Sequence, residues 1–372
     1  ISFTASKATS GNGGAIYNTV SSNWSLTDSS FTTSEAMNGG AIYWNDGAGR
    51  TWTLSDTTFT SNTATTNGGA IYLSIVSYAN WTDNTFNQNT ADNGGALYYS
   101  FGNILTARGN AFCLNTADNK AGGGDGGAMY LSNVGVDADN QYQNNTFVEN
   151  TAEDDGGALW INAGVGHDLF NNHFLGNASN SGGGLWSSGA DLEFSNNLVA
   201  LTQAGYGVSA TGGTKVFDYN AYYSNTSDHL NGVAMGTHSF VAEPDLLKYE
   251  LNGDCEDKLW PVYTSPLIDA GDPAAAHDDP DVASSDNDIG YTGGPYADTT
   301  FHTDGDGDGY TFIKDCDDTD PAQHPGQEWY PDCDGDGYFD VANVQVSCDD
   351  SPVFTAVCDD GACAAGSWCE GG

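Results

Sequence analysis

Residues 304–315, Asp304-Gly-Asp306-Gly-Asp308-Gly309-Tyr310-Thr-Phe312-Ile-Lys-Asp315, set acids at positions 1, 3, 5 and 12 with Gly at position 6. Carboxylates alternating with glycines wrap a hard cation. Gly309 permits the sharp bend, and the Tyr310 carbonyl stands at position 7, where calcium loops supply a backbone oxygen. Asp at position 12 reaches less far than Glu, so Asp317, Asp318 and Asp320 are expected to complete the shell. A second copy carries Asp332, Asp334, Asp336 and Asp340, with Tyr338 at position 7. The chemistry is calcium chelation. Copper is a weaker rival because His302 and His324 are the tail's only histidines and carboxylate oxygens suit hard ions. Cys316, Cys333, Cys348, Cys358, Cys363 and Cys369 thread the same segment and read as disulfides of an oxidising compartment. Zinc is disfavoured because the neighbours are Asp rather than His and no CxxC pair occurs. Cys113 and Cys255 remain without an assigned partner.

Upstream, one phrase recurs: F-x-x-N, a polar gap, then G-G-A followed by an aliphatic and an aromatic residue. Phe59, Asn62 and Gly68-Gly69-Ala70-Ile71-Tyr72 give one copy, and Phe147, Asn150 and Gly156-Gly157-Ala158-Leu159-Trp160 another. The first Gly of each pair falls at 13, 39, 68, 94, 126, 156 and 182, so the steps are 26, 29, 26, 32, 30 and 26 residues. Such a period means a solenoid. No run of helical periodicity exists, and the short apolar pieces between Asn, Asp, Ser, Thr and Gly read as strands and turns. The expected fold is all-β: a right-handed, three-sided parallel β-helix with coils about 4.8 Å apart. Phe59, Phe86, Phe112, Phe147 and Phe174 should stack inside it, as should Ile16, Ile42, Ile71, Leu97, Met129, Leu159 and Leu185. Asn residues should form ladders at the corners.

The alternating GGA[IL] and FxxN tetrapeptides resemble the repeats of the chlamydial polymorphic outer-membrane proteins over roughly residues 1–190. That resemblance implies a β-helical passenger domain, without the family's membrane barrel. Residues 241–298 (Ser265-Pro266, Asp269-Ala-Gly271-Asp272-Pro273, Asp288-Ile289-Gly290) are similar to the terminal segment of many secreted bacterial β-helix proteins. The resemblance implies closure of the last coils. The Asp- and Cys-rich tail has EF-hand spacing without flanking helices. It resembles thrombospondin type 3 repeats and aspartate-rich repeats of secreted bacterial proteins, which implies structural calcium. The expected domains are repeats over 1–240, coils and cap over 241–298, and a small calcium-binding, disulfide-rich domain over 299–372.

Composition narrows function. Eight Lys+Arg against 50 Asp+Glu give a net charge of −42, which repels nucleic acid and anionic membrane. No apolar run is long enough to span a membrane. The start at Ile1, without Met, reads as a mature secreted or cell-surface protein whose signal peptide has been removed. Tyr17, Tyr43, Tyr72, Tyr98, Tyr130, Trp160 and Trp186 form a column that strand alternation turns outward. The column suits glycan stacking or lateral protein contact, or else is covered. N-glycosylation sequons stand at Asn23, Asn80, Asn144, Asn177 and Asn225.

An enzyme is not expected. Lys7, Arg50, Arg108, Lys120 and Lys215 share no lyase motif, Asp154-Asp155 is the one candidate hydrolase pair, and His167 and His173 have no nucleophile pattern. The expected function is a secreted structural or surface protein, a filament or surface-assembly subunit joined head to tail and stabilised by calcium. Alternatives are an adhesin or carbohydrate-binding rod using the aromatic column, and a polysaccharide lyase or hydrolase.

Overall fold

The computed structural model describes residues 1–330 except 21, 46–48, 77, 121, 136–139, 254, 256, 275–278 and 281–286, together with 344–346 and 348. Two compact units are present: Ile1–Pro261 with Ser265–Ala297, and Val262–Thr264 with the chain from Asp298 onward.

The first unit is a right-handed parallel solenoid, as its period predicts. Three long ladders run its length. A phenylalanine sheet of ten strands runs from Ser2–Thr4 to Phe240–Val241. A tyrosine sheet of nine runs from Ile16–Asn18 to Leu230–Asn231, and a tryptophan sheet of eight from Trp24–Thr27 to Lys215–Asp218. A fourth, short ladder of five strands, from Glu35–Asn38 to Thr151–Ala152, was not expected. It is built from the Thr-Ala pairs inside the polar gap, so the coil has a fourth side over those turns.

Register explains the repeat. Phe31, Phe59, Phe86, Phe112, Phe147 and Phe174 pair in line. Their rings stack with centroids 4.7–5.0 Å apart, fully inside. The Gly pair answers two constraints. Gly68 turns through left-handed backbone (φ 64°), whereas a Cβ on Gly69 would stand 2.1 Å from the Gly95 carbonyl oxygen one coil on. The FxxN asparagines close the corner as a ladder. Asn89 Oδ1 accepts from the backbone N and Nδ2 of Asn62, each at 3.0 Å, while its own Nδ2 donates to Asn115 Oδ1 and to the Phe59 carbonyl, each at 3.0 Å. A second ladder, Asn84-Asn110-Asn145-Asn172-Asn197-Asn220, repeats that pattern at the corner before each Phe. Buried backbone donors are thereby paired without water.

The segment after Val241 does not continue the coil. It forms a small antiparallel pair, Leu246–Lys248 with Lys258–Pro261, and lies along the flank of the phenylalanine sheet. Corner asparagines hold it. Asn144 Nδ2 donates to the Tyr291 carbonyl (2.8 Å), Asn171 Nδ2 to the Asp288 carbonyl (2.8 Å), and the Asp272 N–H donates to Asn196 Oδ1 (2.8 Å). Cys255 is bonded to Cys113, with Cα atoms 6.0 Å apart. The segment expected as a cap on the coil end is therefore a lateral strap. Outward residues of the sheet follow suit: Thr32, Thr60 and Asn87 in early coils, then Cys113, Val148, Leu175 and Ala200, which pack with Leu259, Leu267 and Ile289. Burial of these side chains drives the docking.

Candidate metal centre and surface sites

In the second unit, Asp298 caps a 3₁₀ turn, Thr299–His302, by accepting from the Thr300 N–H (2.9 Å). Beyond it the aspartate loop closes on itself. Asp304 accepts from the Gly307 and Gly309 N–H groups at 2.6 and 2.9 Å, and Asp308 Oδ1 from the Tyr310 N–H at 2.9 Å. Oxygens of Asp304, Asp306 and Asp308 gather within 4.8 Å of one another. Asp306 Oδ2, Asp308 Oδ2 and Asp315 Oδ2 are buried without a hydrogen-bond partner. Burial, then the charges of Asp308, Asp304 and Asp318, raises the Asp306 carboxyl above its ordinary value. Asp315, 7% exposed, is raised by burial and then by Asp308 and Asp306. Position 12 thus faces positions 3 and 5. Converging carboxylates that lack N–H or O–H partners cost free energy unless a cation joins them.

The remaining aspartates divide. Asp318 Oδ1 accepts from the Gly305 N–H (2.7 Å) and closes on the loop's start. Asp317 and Asp320 serve local turns, accepting from the Thr319 N–H (3.1 Å) and the Ala322 N–H (3.1 Å). Tyr310 stacks on His324 with centroids 5.4 Å apart. Cys316 is bonded to Cys348, Cα atoms 5.3 Å apart. The second loop, Asp332, Asp334, Asp336, Tyr338 and Asp340, lies outside the described residues, as do Cys333, Cys358, Cys363 and Cys369.

On the tyrosine sheet the aromatic column faces outward but is stacked on itself. Tyr17, Tyr43, Tyr72, Tyr98, Tyr130, Trp160 and Trp186 follow one another with centroids 4.1–5.3 Å apart and planes within 11°. Neighbouring rings occupy both faces of every inner member, so it offers edges, not faces, to a ligand. Burial raises the hydroxyl pKa of Tyr72 and Tyr98, and takes Tyr130 up to about 12.

The sequons also divide. Asn177 belongs to the buried ladder, donating to the Phe147 carbonyl (2.8 Å), and Asn144 holds the strap. Asn225 Nδ2 donates to the Val199 carbonyl (2.9 Å). A glycan on any of these three would remove a structural hydrogen bond, which corrects the expectation of glycosylation there. Asn23 and Asn80 are exposed.

Asp155 is neighboured by Asp125 one coil away as well as by Asp154. The Asp155 N–H donates to Asp125 Oδ1 (3.2 Å), and burial followed by the charges of Asp155 and Asp154 pushes Asp125 up to about 6. Asp125 was missed in the sequence, although its place before the Gly pair, where Asn67 and Asn93 stand in other coils, marks it. His167 and His173 are fully buried, and burial takes them down to about 4 and about 3. Lys7 pairs with Glu35, Lys120 with Asp118, and Arg108 lies 4.0 Å over the Tyr296 ring.

Ladder register and core define a right-handed β-helix, and the wider comparison agrees. The family described as "Right handed beta helix region" matches residues 4–199, more than half the chain, and the chain belongs to that family. No curated protein and no solved structure matches it.

Proposed function

We propose that the chain is a secreted structural β-helix of a cell-surface or extracellular assembly, with a tail that calcium orders. The observation that carries the reading is the set of partnerless buried oxygens on Asp306, Asp308 and Asp315. An oxygen-only donor set with several carboxylates suits calcium, which accepts irregular shells of 6–8 oxygens. Asp304, Asp306, Asp308 and Asp315 would hold it, with the Tyr310 carbonyl at position 7. Bound calcium neutralises the loop's mutual repulsion, so binding free energy becomes folding free energy. At a hundred times its dissociation constant it would add about 2.7 kcal/mol. The disulfides fit an oxidising, extracellular compartment.

Head-to-tail assembly draws on the ladders. Their terminal strands offer parallel edges that a further coil can extend, and a heterologous contact of that kind makes fibres. Hydrogen exchange and negative-stain microscopy in millimolar calcium and in chelator test both parts. The expected result is loss of protection from Asp298 onward in chelator, with the first unit unchanged. Unaltered tail protection would sink the calcium reading. Short single particles in both conditions would sink the filament while leaving calcium standing.

A further inference from the structure

The flank between the tyrosine and tryptophan sheets carries an apolar block that neither the rod nor the tail requires. Ser74 pairs with Ser100, so the next residues, Ile75 and Phe101, stand one above the other at the corner. Tyr78 pairs with Ile104 on the outer face of the tryptophan sheet. Two coils and two columns thus make a two-by-two patch. Ile75 is 46% exposed, Tyr78 45% and Phe101 65%.

The corner conformation makes this choice costly. Ile75 and Phe101 hold φ of 59° and 56°, left-handed backbone that a β-branched residue rarely adopts. Later coils fill the same column with Asn133, Ala163 and Gly189, which suit that backbone or keep apolar bulk off the surface. Strained backbone and exposed apolar surface in one place mark a binding surface more often than a packing need.

We infer that Ile75, Tyr78, Phe101 and Ile104 form a docking platform for a neutral polysaccharide. The block measures roughly 5 by 10 Å from coil spacing and strand rise. That falls far short of the roughly 800 Å² per partner of a stable protein interface. It matches a short length of sugar chain. The rings of Tyr78 and Phe101 lie exposed, unlike those of the self-stacked column, and can receive the C–H face of a pyranose. Asn80, Asn103, Thr106 and Asn133 surround the block with uncharged donors and acceptors. A chain of net charge −42 repels anionic polymers, and the block and these neighbours hold no carboxylate to favour a cationic one. A neutral ligand remains.

Affinity electrophoresis of the whole chain through gels containing laminarin, dextran, mannan or xyloglucan, with polygalacturonate as the anionic probe, tests the platform. Retardation by at least one neutral polymer and none by polygalacturonate is expected. Tyr78→Ala and Phe101→Asn should each weaken binding at least tenfold. Asn suits the left-handed corner, so Phe101→Asn keeps the fold, and circular dichroism confirms it for both variants. Failure of all four neutral polymers to retard the protein overturns the proposal. So does full binding by both variants, or a dimer in sedimentation that Phe101→Asn dissociates.

Discussion

Substituting His173 with Leu should make the first unit more resistant to acid. His173 lies on the outer face of the phenylalanine sheet between Thr146 and Leu198. The strap covers it. Tyr291 meets its ring edge-on at 4.9 Å, and a Cβ on Gly290 would stand 1.9 Å from Nε2. Neither ring nitrogen has a hydrogen-bond partner, and burial holds the pKa at about 3. In the unfolded chain the group titrates near its ordinary value of about 6.5. The folded state therefore refuses a proton that the unfolded state accepts. His173's share of stability is whole above pH 6.5 and shrinks as the pH falls towards 3. At pH 5 the loss is about 1.5 units at 1.36 kcal/mol each, or about 2 kcal/mol. Leucine fills a similar volume in a column whose next member is Leu198, and it does not titrate. Urea melts of both proteins at pH 7.5 and pH 5 should show the wild type losing about 2 kcal/mol more than His173→Leu between the two conditions. His167, held at about 4, contributes equally to both proteins and cancels. Equal losses would mean that His173 titrates normally, and hence that the strap does not cover it in solution.

Two other perturbations separate ladder from strap. Asn115→Ala leaves the Asn89 N–H and the Phe86 carbonyl without their buried partners, at about 1–3 kcal/mol each, so denaturant melts should show a loss of about 2–6 kcal/mol. Replacing both Cys113 and Cys255 with Ser opens a link across a sequence separation of 142. Chain entropy sets a ceiling of about 5 kcal/mol on that effect, and hydrogen exchange should rise first in residues 257–274 and 287–297.

The sequence made the solenoid legible because each coil must meet the same constraints. Gly68 needs left-handed backbone, Gly69 must leave room for the next coil's carbonyl, and Asn62 must satisfy a buried corner. Identical needs return at a fixed period, and the period is visible. The short fourth ladder was hidden because Thr63-Ala64 or Thr90-Ala91 alternates too briefly to stand out from a turn. The strap's docking face was also readable in principle: outward neighbours of the core Phe change from Thr60 and Asn87 to Cys113, Val148 and Leu175 along the chain. What could not be read was the covering segment, since nothing local to Leu267 or Ile289 says which coil it meets. The Cys113–Cys255 pairing was opaque for the same reason. In the tail, spacing alone placed Asp304, Asp306 and Asp308 together. The return of Asp315 onto them and the diversion of Asp317 and Asp320 to local turns depend on backbone path. Outward direction of the aromatic column followed from alternation, but stacking followed from coil spacing, and that decides which part of each ring a ligand can reach.

A solenoid without a strap is close to a one-dimensional array, each coil stabilised by its two neighbours and free to fray from either end. The asparagine ladders strengthen those neighbour contacts without changing their range: Asn89 reaches Asn62 and Asn115 and no further. The strap does change it. It is bonded to Cys113 in one coil and hydrogen-bonded to Asn144, Asn171 and Asn196 in three later ones. Opening any of those coils must therefore strain a segment that the others hold. Coils before Cys113 have only their neighbours, and there the sheet's outer face is Ser and Thr. The exposed block at Ile75 and Phe101 stands in that strapless half, on a flank that the strap does not occupy. Rigidity is thus concentrated in the later coils and accessible surface in the earlier ones, the division that a rod anchored along one half and engaging ligands along the other would need.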